Sequence, residues 1–375
     1  MKRIGIVGGG QLGRMLSDAA HTLGFTVITL DAGTEGPAAQ VSDTHIDAPF
    51  TDAQAIQQLA DMVDVLTFEI ESVDADALQS IASLRPEAVH PSPATLLIIR
   101  DKYAQKEYLR GHGIPVAAAQ TVDSLESIRA AAEEYGYPIV LKSRFGAYDG
   151  RGNALIRTEA DIPAAFEKLG EVNLYVEQFV PFVKELAVVA ARSTAGECAL
   201  YPVVETVHEN HICHTVTMPA PVSSTIAEEA ERVAYKVLTA LGGAGVFGIE
   251  LFLCADDAIL VNEIAPRVHN SGHITMDASA TSQFEQHIRA ITGMPLGETA
   301  LNTPVAVMIN ILGGRQGPAH PQGLAEAEAL GDVRVHLYGK KETKPARKMG
   351  HINVKGKSHA EAHEKAKKAR ARVTI

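Results

Sequence analysis

Lys142-Ser-Arg-Phe-Gly-Ala-Tyr-Asp-Gly-Arg-Gly-Asn153 is the stretch on which the fold turns. Lys142 ends an apolar run, Pro138–Lys142, that predicts a strand, and a second strand is expected from near Asn153, so the residues between them form a loop joining two strands. Its small residues let backbone N–H groups approach an anion, and its cations can neutralise phosphate charge as that charge moves during transfer. A glycine-rich hairpin turn with incidental Arg and Asp fits the same residues.

Downstream, the strand-like runs Val246–Cys254 and Ala258–Ile264 flank Ala255-Asp256-Asp257, which is turn chemistry for a hairpin. Cys254 then faces Ala258 or Ile259, and in the second register Glu250 lies opposite Glu263. Like charges facing across strands are destabilising unless protonated or bridged by a cation, so a Mg²⁺ site holding nucleotide phosphates would account for the pair. Two solvent-facing glutamates, or a register shifted by one residue, would account for it equally simply. Asn262 and Glu263 close the strand, and an all-oxygen ligand set suits Mg²⁺ better than zinc. The polar loop Ala265-Pro-Arg-Val-His-Asn-Ser-Gly-His273 follows directly, and its Arg267 and Asn270 suit an anionic or amide-rich ligand. His269 and His273 as a metal pair, or Ser271 with a histidine as a hydrolase nucleophile, are rival readings. Neither a third zinc ligand nor a nucleophile elbow supports them.

Upstream, Arg3–Val7 runs into Gly8-x-Gly10-x-x-Gly13, a helical pattern over Gln11–Leu23 and a strand-like run Thr26–Leu30 ending beside Asp31. This β-α-β opening fits a dinucleotide-binding turn, and it fits any tight strand-to-helix turn as well. Helices near 52–62 and 74–83 alternate with a strand at Val65–Phe68, and an extended piece ends at His90. His90-Pro91-Ser92-Pro93 punctuates the chain as a domain edge. One helix from about Thr95 to Gly111, another at 123–135, and strands at Leu174–Gln178 and 184–192 are expected next. Short strands at Val305–Ile311, Val333–Leu337 and Gly350–Val354 predict a small β-rich C-terminal domain. Between them Lys340, Lys341, Lys344, Arg347 and Lys348 form either a solvated surface or a dock for a substrate phosphate. The expected division is 1–97, 98–178, 179–300 and 301–375.

The composition is that of a soluble globular protein: of 375 residues, 46% are apolar and 21% charged, enough for two or three domains. No window is long and apolar enough for a membrane span, and the apolar run in the opening MKRIGIVGGGQ is too short for a signal. The three cysteines sit apart without metal-ligand spacing, which fits a reducing cytoplasm, and a net charge of −11 argues against nucleic-acid affinity. The basic stretch from Lys355 to Arg372 reads as a solvated helix end.

Taken together, Lys142, AYDGRGN at 147–153, EQFV at 177–180, NEIAPRVHNSGH at 262–273 and RKMGHI at 347–352 resemble the ATP-grasp ligase family of N5-carboxyaminoimidazole ribonucleotide synthetase. The resemblance runs from the GGGQLGRM start almost to the end of the chain. It implies an α/β and α+β architecture: an ATP-grasp fold with an N-terminal Rossmann-like pre-ATP-grasp domain and a small β-rich C-terminal region. It also implies an activity, the use of ATP and bicarbonate to carboxylate the exocyclic amine of 5-aminoimidazole ribonucleotide through carboxyphosphate.

By that resemblance Lys102 and Lys142 contact ATP phosphates, and Ala147, Tyr148, Asp149, Gly150, Arg151, Gly152 and Asn153 close over them. Glu177, Gln178, Phe179 and Val180 would border the adenine, Glu185 would take the ribose hydroxyls, and His208 would lie near the nucleotide with Asn262 and Glu263. Glu250 and Glu263 become Mg²⁺ ligands. The carboxyl acceptor falls to Tyr148, Asp149, Arg151, Arg267, His269, Asn270 and Ser271, with Lys340 and Arg347 on the ribose 5-phosphate. Gly10, Gln11, Leu12 and Glu69 would help to bind the aminoimidazole ribonucleotide, and Asp149 is the expected proton acceptor. A homodimer is also implied. Phe145-Gly146-Ala147 departs from the bacterial pattern of two glycines and is nearer the fungal bifunctional form, in which a mutase domain follows. No mutase domain follows in these 375 residues, so the expectation is either a stand-alone enzyme or the first part of a longer protein. The rival activities are another ATP-grasp ligase, using formate or biotin, and a non-catalytic nucleotide-binding module.

Overall fold

β1 (Arg3–Val7), α1 (Gln11–Thr22), β2 (Thr26–Asp31), β3 (Thr44–Asp47), α2 (Ala53–Met62), β4 (Val65–Phe68) and α3 (Ala75–Leu84) open the computed structural model, which describes residues 2–146, 152–170 and 172–375. The four strands are parallel, in the order β3-β2-β1-β4. Helices cover both faces, and so the central strands carry unbroken apolar runs. Asp52 and Asp74 cap α2 and α3 by accepting from the first free N–H groups of each helix, contacts worth about 1 kcal/mol each. The C-terminal ends of β1, β2 and β4 deliver Gly8, Asp31 and Glu69 to one edge, where ligands of open α/β sheets gather.

The expected helix from Thr95 to Gly111 is two helices, α4 (Pro93–Arg100) and α5 (Lys102–Gly111). Asp101 breaks them apart: its backbone is extended, and its side chain caps α5 through the N–H groups of Tyr103 and Ala104. Next come β5 (Ala119–Val122), α6 (Leu125–Tyr135), β6 (Ile139–Ser143), β7 (Asn153–Ile156), α7 (Ile162–Leu169) and β8 (Leu174–Gln178). Their antiparallel sheet has the order β5-β8-β6-β7 and packs its helices over Ile128, Leu141, Ile156 and Ile162. Lys142 faces Asn153 in the β6–β7 register, so the two ends of the opening stretch are neighbours.

The remainder comprises β9 (Phe182–Arg192), β10 (Cys198–Leu200), β11 (Val204–Glu209), β12 (Ile212–Met218), α8 (Ser224–Leu241), β13 (Gly245–Cys254), β14 (Ile259–Ala265), α9 (Thr275–Ala278) and α10 (Gln283–Thr292), then β15 (Val305–Leu312), β16 (Gly317–Pro318), α11 (Leu324–Glu328), β17 (Val333–Leu337), β18 (Glu342–Thr343), β19 (Lys348–Gly356) and α12 (His359–Arg372). One sheet, β14-β13-β9-β11-β12-β15-β19-β17 with β10 beside β9, carries most of these strands. The C-terminal strands therefore do not close a sheet of their own, because β15 pairs with β12 from Thr215↔Ile309 to Met218↔Ala306. The last helix is more than a solvated end: Ala362, Ala366 and Ala369 are buried in a core with Val307, Ile309, Ile352 and Val354. α8 buries Ala230, Val233, Ala234, Val237, Leu238 and Leu241 along one stripe, each larger side chain contributing about 1.5–3 kcal/mol.

Candidate active site

The glycine turn at the start of α1 is already filled by the chain's own carboxylates. Glu69 accepts hydrogen bonds from the N–H groups of Gly10 and Gly13, both at 2.5 Å, and Asp31 accepts from Gly9 at 2.9 Å. These are the unpaired donors a cofactor phosphate would need, so the turn offers a phosphate two like charges in place of free N–H groups. Burial pushes the Glu69 carboxyl up, partly countered by those two N–H groups and by Arg267. Gln11 is half-buried at the same edge, whereas the Leu12 side chain packs in the core with Ile4 and Leu16, leaving only its backbone to face a ligand.

Lys340 lies close enough to Glu69 for the two charges to interact. Its segment folds back onto the first domain: Gln40 donates to the Gly339 carbonyl at 2.9 Å, and Lys341 pairs with Glu35. Lys340 itself donates to the Lys348 carbonyl at 2.7 Å, and Arg347 donates to that of Glu342 at 2.6 Å. Burial, then the neighbouring Arg347, pushes the Lys340 ammonium down to about 8.

On the other side of the cleft, Lys142 and Lys106 share one oxygen of Glu177, each at 3.1 Å, and both Lys106 and Glu177 are buried. Burial pushes the Glu177 carboxyl up, but the two ammonium groups outweigh it and hold it below the usual carboxylate range. The carboxylate of Glu177 is thus an internal anchor for Lys142, and the segment expected to border adenine presents Gln178, Phe179 and Val180 at the rim. Lys106 was not anticipated, although it lies four residues after Lys102, a spacing that puts both on one helix face. Lys102 reaches Glu263 at 2.5 Å, and its helix is tied to the end of β6 by Arg144, whose Nε donates to Asp101 at 3.0 Å. Ala147, Tyr148, Asp149, Gly150 and Arg151 lie outside the described residues. Gly152 has φ +83°, and its carbonyl accepts from Ser143 at 2.9 Å, closing the mouth of the loop beside the exposed Asn153.

Glu250 does stand opposite Glu263, by a route the turn alone would not predict. At the tip Leu253 pairs with Ile259 and Cys254 donates to Ala258, the register that would have missed the match. A bulge at Asn262 then shifts the pairing by one residue and brings the glutamates face to face. Burial first and Glu263 second push the Glu250 carboxyl up to about 7. Lys102 pairs with Glu263, and Nε2 of His269 lies 3.4 Å from Glu250, in a ring that burial and then the neighbouring Arg267 hold well below the usual histidine range. His208 sits on Glu185 at 2.5 Å; burial lowers its pKa, but the Glu185 contact more than offsets this and leaves it raised. Two facing carboxylates that need a cation fit Mg²⁺, which takes one or two protein carboxylates and fills its other positions with phosphate and water. Among the described residues no group of three or more His, Cys, Asp or Glu gathers for a metal. His269 and His273 do not form a zinc pair: Nδ1 of His269 faces Ser271 and Nδ1 of His273 faces Gln283.

The 265–273 loop is held from beneath. Buried Gln283, at the start of α10, accepts from the His269 N–H at 2.9 Å and donates to its carbonyl at 2.7 Å. Ser271 is buried, and its hydroxyl at 2.9 Å from His269 Nδ1 orients the ring so that Nε2 meets Glu250. Gly248 makes the room: a Cβ there would lie 2.5 Å from the Cβ and Cγ of His269. Asn270 and Asn310 exchange amide hydrogen bonds at 2.7 and 3.2 Å. Arg267 pairs with Glu71 of the first domain at 2.9 Å. Gln283, Gly248 and Glu71 carry no motif in the sequence. Their roles come from partners remote along the chain.

Family models match along most of the chain: a ribonucleotide synthetase preATP-grasp domain over residues 1–100, an ATP-grasp domain over 107–284, and a phosphoribosylaminoimidazole carboxylase C-terminal domain over 306–365. A phosphoribosylaminoimidazole carboxylase of Ogataea methanolica is 47% identical over 362 residues, covering 95% of this chain and 66% of that protein. The chain thus spans just under two thirds of the length of this fungal relative. The crystal structure of N5-carboxyaminoimidazole ribonucleotide synthetase from Thermotoga maritima superposes with a TM-score of 0.91 at 45% identity, covering 100% of this chain and 99% of that one. That of N5-carboxyaminoimidazole synthase from Aspergillus clavatus, in complex with ADP and 5-aminoimidazole ribonucleotide, gives 0.90 at 39% identity over 98% and 97%. Matched end to end by such a relative at 45% identity, this chain belongs to the N5-carboxyaminoimidazole ribonucleotide synthase family of ATP-grasp ligases.

Proposed function

We propose that this chain uses ATP and bicarbonate to carboxylate 5-aminoimidazole ribonucleotide, giving N5-carboxyaminoimidazole ribonucleotide in de novo purine synthesis. The observation that carries this reading is an unbroken series of charged neighbours across the domain junction. Lys102 pairs with Glu263, Glu263 stands opposite Glu250, Glu250 meets His269, and Arg267 interacts with both Glu263 and Glu69, the latter in turn close to Lys340. A nucleotide held at the first group presents its γ-phosphate to bicarbonate, next to a carboxyl acceptor held at the second.

Bicarbonate oxygen attacks the γ-phosphorus, ADP leaves, and carboxyphosphate forms. Lys102 and Lys142 stabilise the charge that builds on the transferring group. Glu250 and Glu263 would hold Mg²⁺, which when bound neutralises charge between the carboxylates and the nucleotide phosphates. Carboxyphosphate hydrolyses readily, so the loop 147–153 must exclude water while the bond from carbon to the phosphate oxygen breaks, inorganic phosphate leaves, and the exocyclic amine captures the CO₂. The amine proton goes to Asp149, beside Arg151. Arg267, His269, Asn270 and Ser271 are assigned to the acceptor, Lys340 and Arg347 to its 5-phosphate, and Gln178, Phe179, Val180 and Glu185 to the adenosine. A homodimer in the cytoplasm, with a mutase as a separate protein or a fused domain, completes the proposal.

Isotope-labelled bicarbonate tests it. With ATP and the aminoimidazole ribonucleotide, NMR should detect the label as a carbamate carbon on the exocyclic nitrogen. ATP consumption without that signal would reject the reading. Asp149→Asn is expected to keep ATP binding and lose the carbamate signal.

A further inference from the structure

Arg267 is gripped on two of its three nitrogens. Nη1 donates to the carbonyl of Val268 at 3.2 Å, and Nη2 meets Glu71 at 2.9 Å. Nε is buried and has no hydrogen-bond partner among the described residues, an arrangement a folded protein keeps only where something else satisfies the donor. The grip spans two domains: Glu71 follows β4 of the parallel sheet, and Arg267 follows β14 of the large one. Competing carboxylates are near, since Glu69 and Glu263 both interact with the same guanidinium. A guanidinium without its anchor would be drawn to either of them, and at Glu263 it would occupy a nucleotide-side carboxylate.

We propose that Glu71 is a positioning residue, which fixes the plane of Arg267 across the domain junction and leaves Nε–H free for an anionic oxygen of the substrates in the cleft. Glu71 touches no reacting atom. It acts through Arg267 by occupying Nη2 and by keeping the cation away from Glu263. The inference rests on the carboxylation reading above, and it assigns a role to a residue that reading does not use.

The test is steady-state ADP release by the full chain carrying Glu71→Gln or Glu71→Ala, with ATP, bicarbonate and aminoimidazole ribonucleotide varied in turn. Glu71→Gln keeps one acceptor oxygen, so it should retain more activity than Glu71→Ala. Glu71→Ala should lose about tenfold to a hundredfold in kcat/KM for bicarbonate or the ribonucleotide, the scale of one charge-assisted hydrogen bond. The KM for ATP should stay within about twofold, because uniform binding on the nucleotide side is untouched. Adding Glu71→Ala to Arg267→Ala should cost nothing further, the non-additivity expected of residues acting as one unit. That cycle separates positioning from a folding defect, which would lower the double variant again. Normal kcat/KM in Glu71→Ala, or a loss shared equally by ATP, overturns the inference while leaving the carboxylation reading intact. Absence of acceptor-dependent ADP release by the unaltered chain would overturn both.

Discussion

Glu250 carries the pH dependence of the cleft. Burial and the facing Glu263 push its carboxyl up to about 7, so the folded chain favours its protonated form. The sign follows: a carboxyl raised on folding contributes stability at low pH that is lost as pH rises through its folded pKa. A cation bound there must displace the proton. Mg²⁺ affinity in the presence of ADP, followed by titration calorimetry, should therefore strengthen between about pH 6 and about pH 8. Glu250→Gln should weaken binding and flatten that profile, and an unchanged slope in this variant would remove Glu250 from the site. Gly248→Ala tests the neighbouring contact. Its Cβ would lie 2.5 Å from the Cβ and Cγ of His269, so the ring must give way, and a misplacement of about 1 Å can cost on the order of a hundredfold in turnover. ADP binding should be little changed, and normal turnover would show that the ring position is not needed. The glutamate pair was legible because a strand's period of two and a turn leave few registers to consider. The bulge at Asn262 that restores the match is not written in any local signal. Glu71, Gln283 and Lys106 were illegible for a related reason: each owes its role to a partner brought near only by the fold.

Among the elements, the break between α4 and α5 has the clearest consequence. Asp101 caps α5 and receives Arg144 from just after β6, so one residue ties the start of the Lys102 helix to the end of that strand. Burial pushes its carboxyl up, and Arg144 with the helix N–H groups more than offsets this, leaving it below the usual carboxylate range. Asp101→Ala should lower unfolding free energy in urea by about 1–2 kcal/mol, the scale of a lost cap, and raise the KM for ATP. Asp101→Asn keeps a capping acceptor and should fall between. An unaltered KM in the alanine variant would break the link from cap to nucleotide. A 3.6-residue pattern through 95–111 conceals such a break, because Asp101 is one polar position among several. α8 was legible in principle, with its buried positions at helical spacing. α12 was not: its buried face is three alanines, small enough to sit close on β15 and β19 but too weakly apolar to stand out among seven flanking Lys, Arg and His residues.

At the scale of the whole molecule, the cleft exists because three parts of the chain close on one another. Thr67 of β4 lies 2.9 Å from His287 of α10, Glu71 reaches Arg267, and the segment at Gly339–Lys341 returns to Gln40 and Glu35. The β-α-β opening and the short C-terminal strands could be read from apolar runs and turn residues. That the last strands extend the large sheet could not, since β12 and β15 are separated by three helices and a hairpin. Nucleotide binding across such a junction should stabilise the entire chain. Saturating Mg·ADP at about a hundred times its Kd should add about 2.7 kcal/mol to the unfolding free energy, visible as a raised melting midpoint. An unmoved midpoint would argue against a nucleotide in this cleft. The most direct test is a coupled ADP-release assay run with bicarbonate alone, 5-aminoimidazole ribonucleotide alone, both together, and formate or biotin in place of bicarbonate. Carboxylation predicts sustained release only with bicarbonate and the ribonucleotide together, whereas release that depends on formate or biotin, or nucleotide binding with no release under any condition, would contradict it.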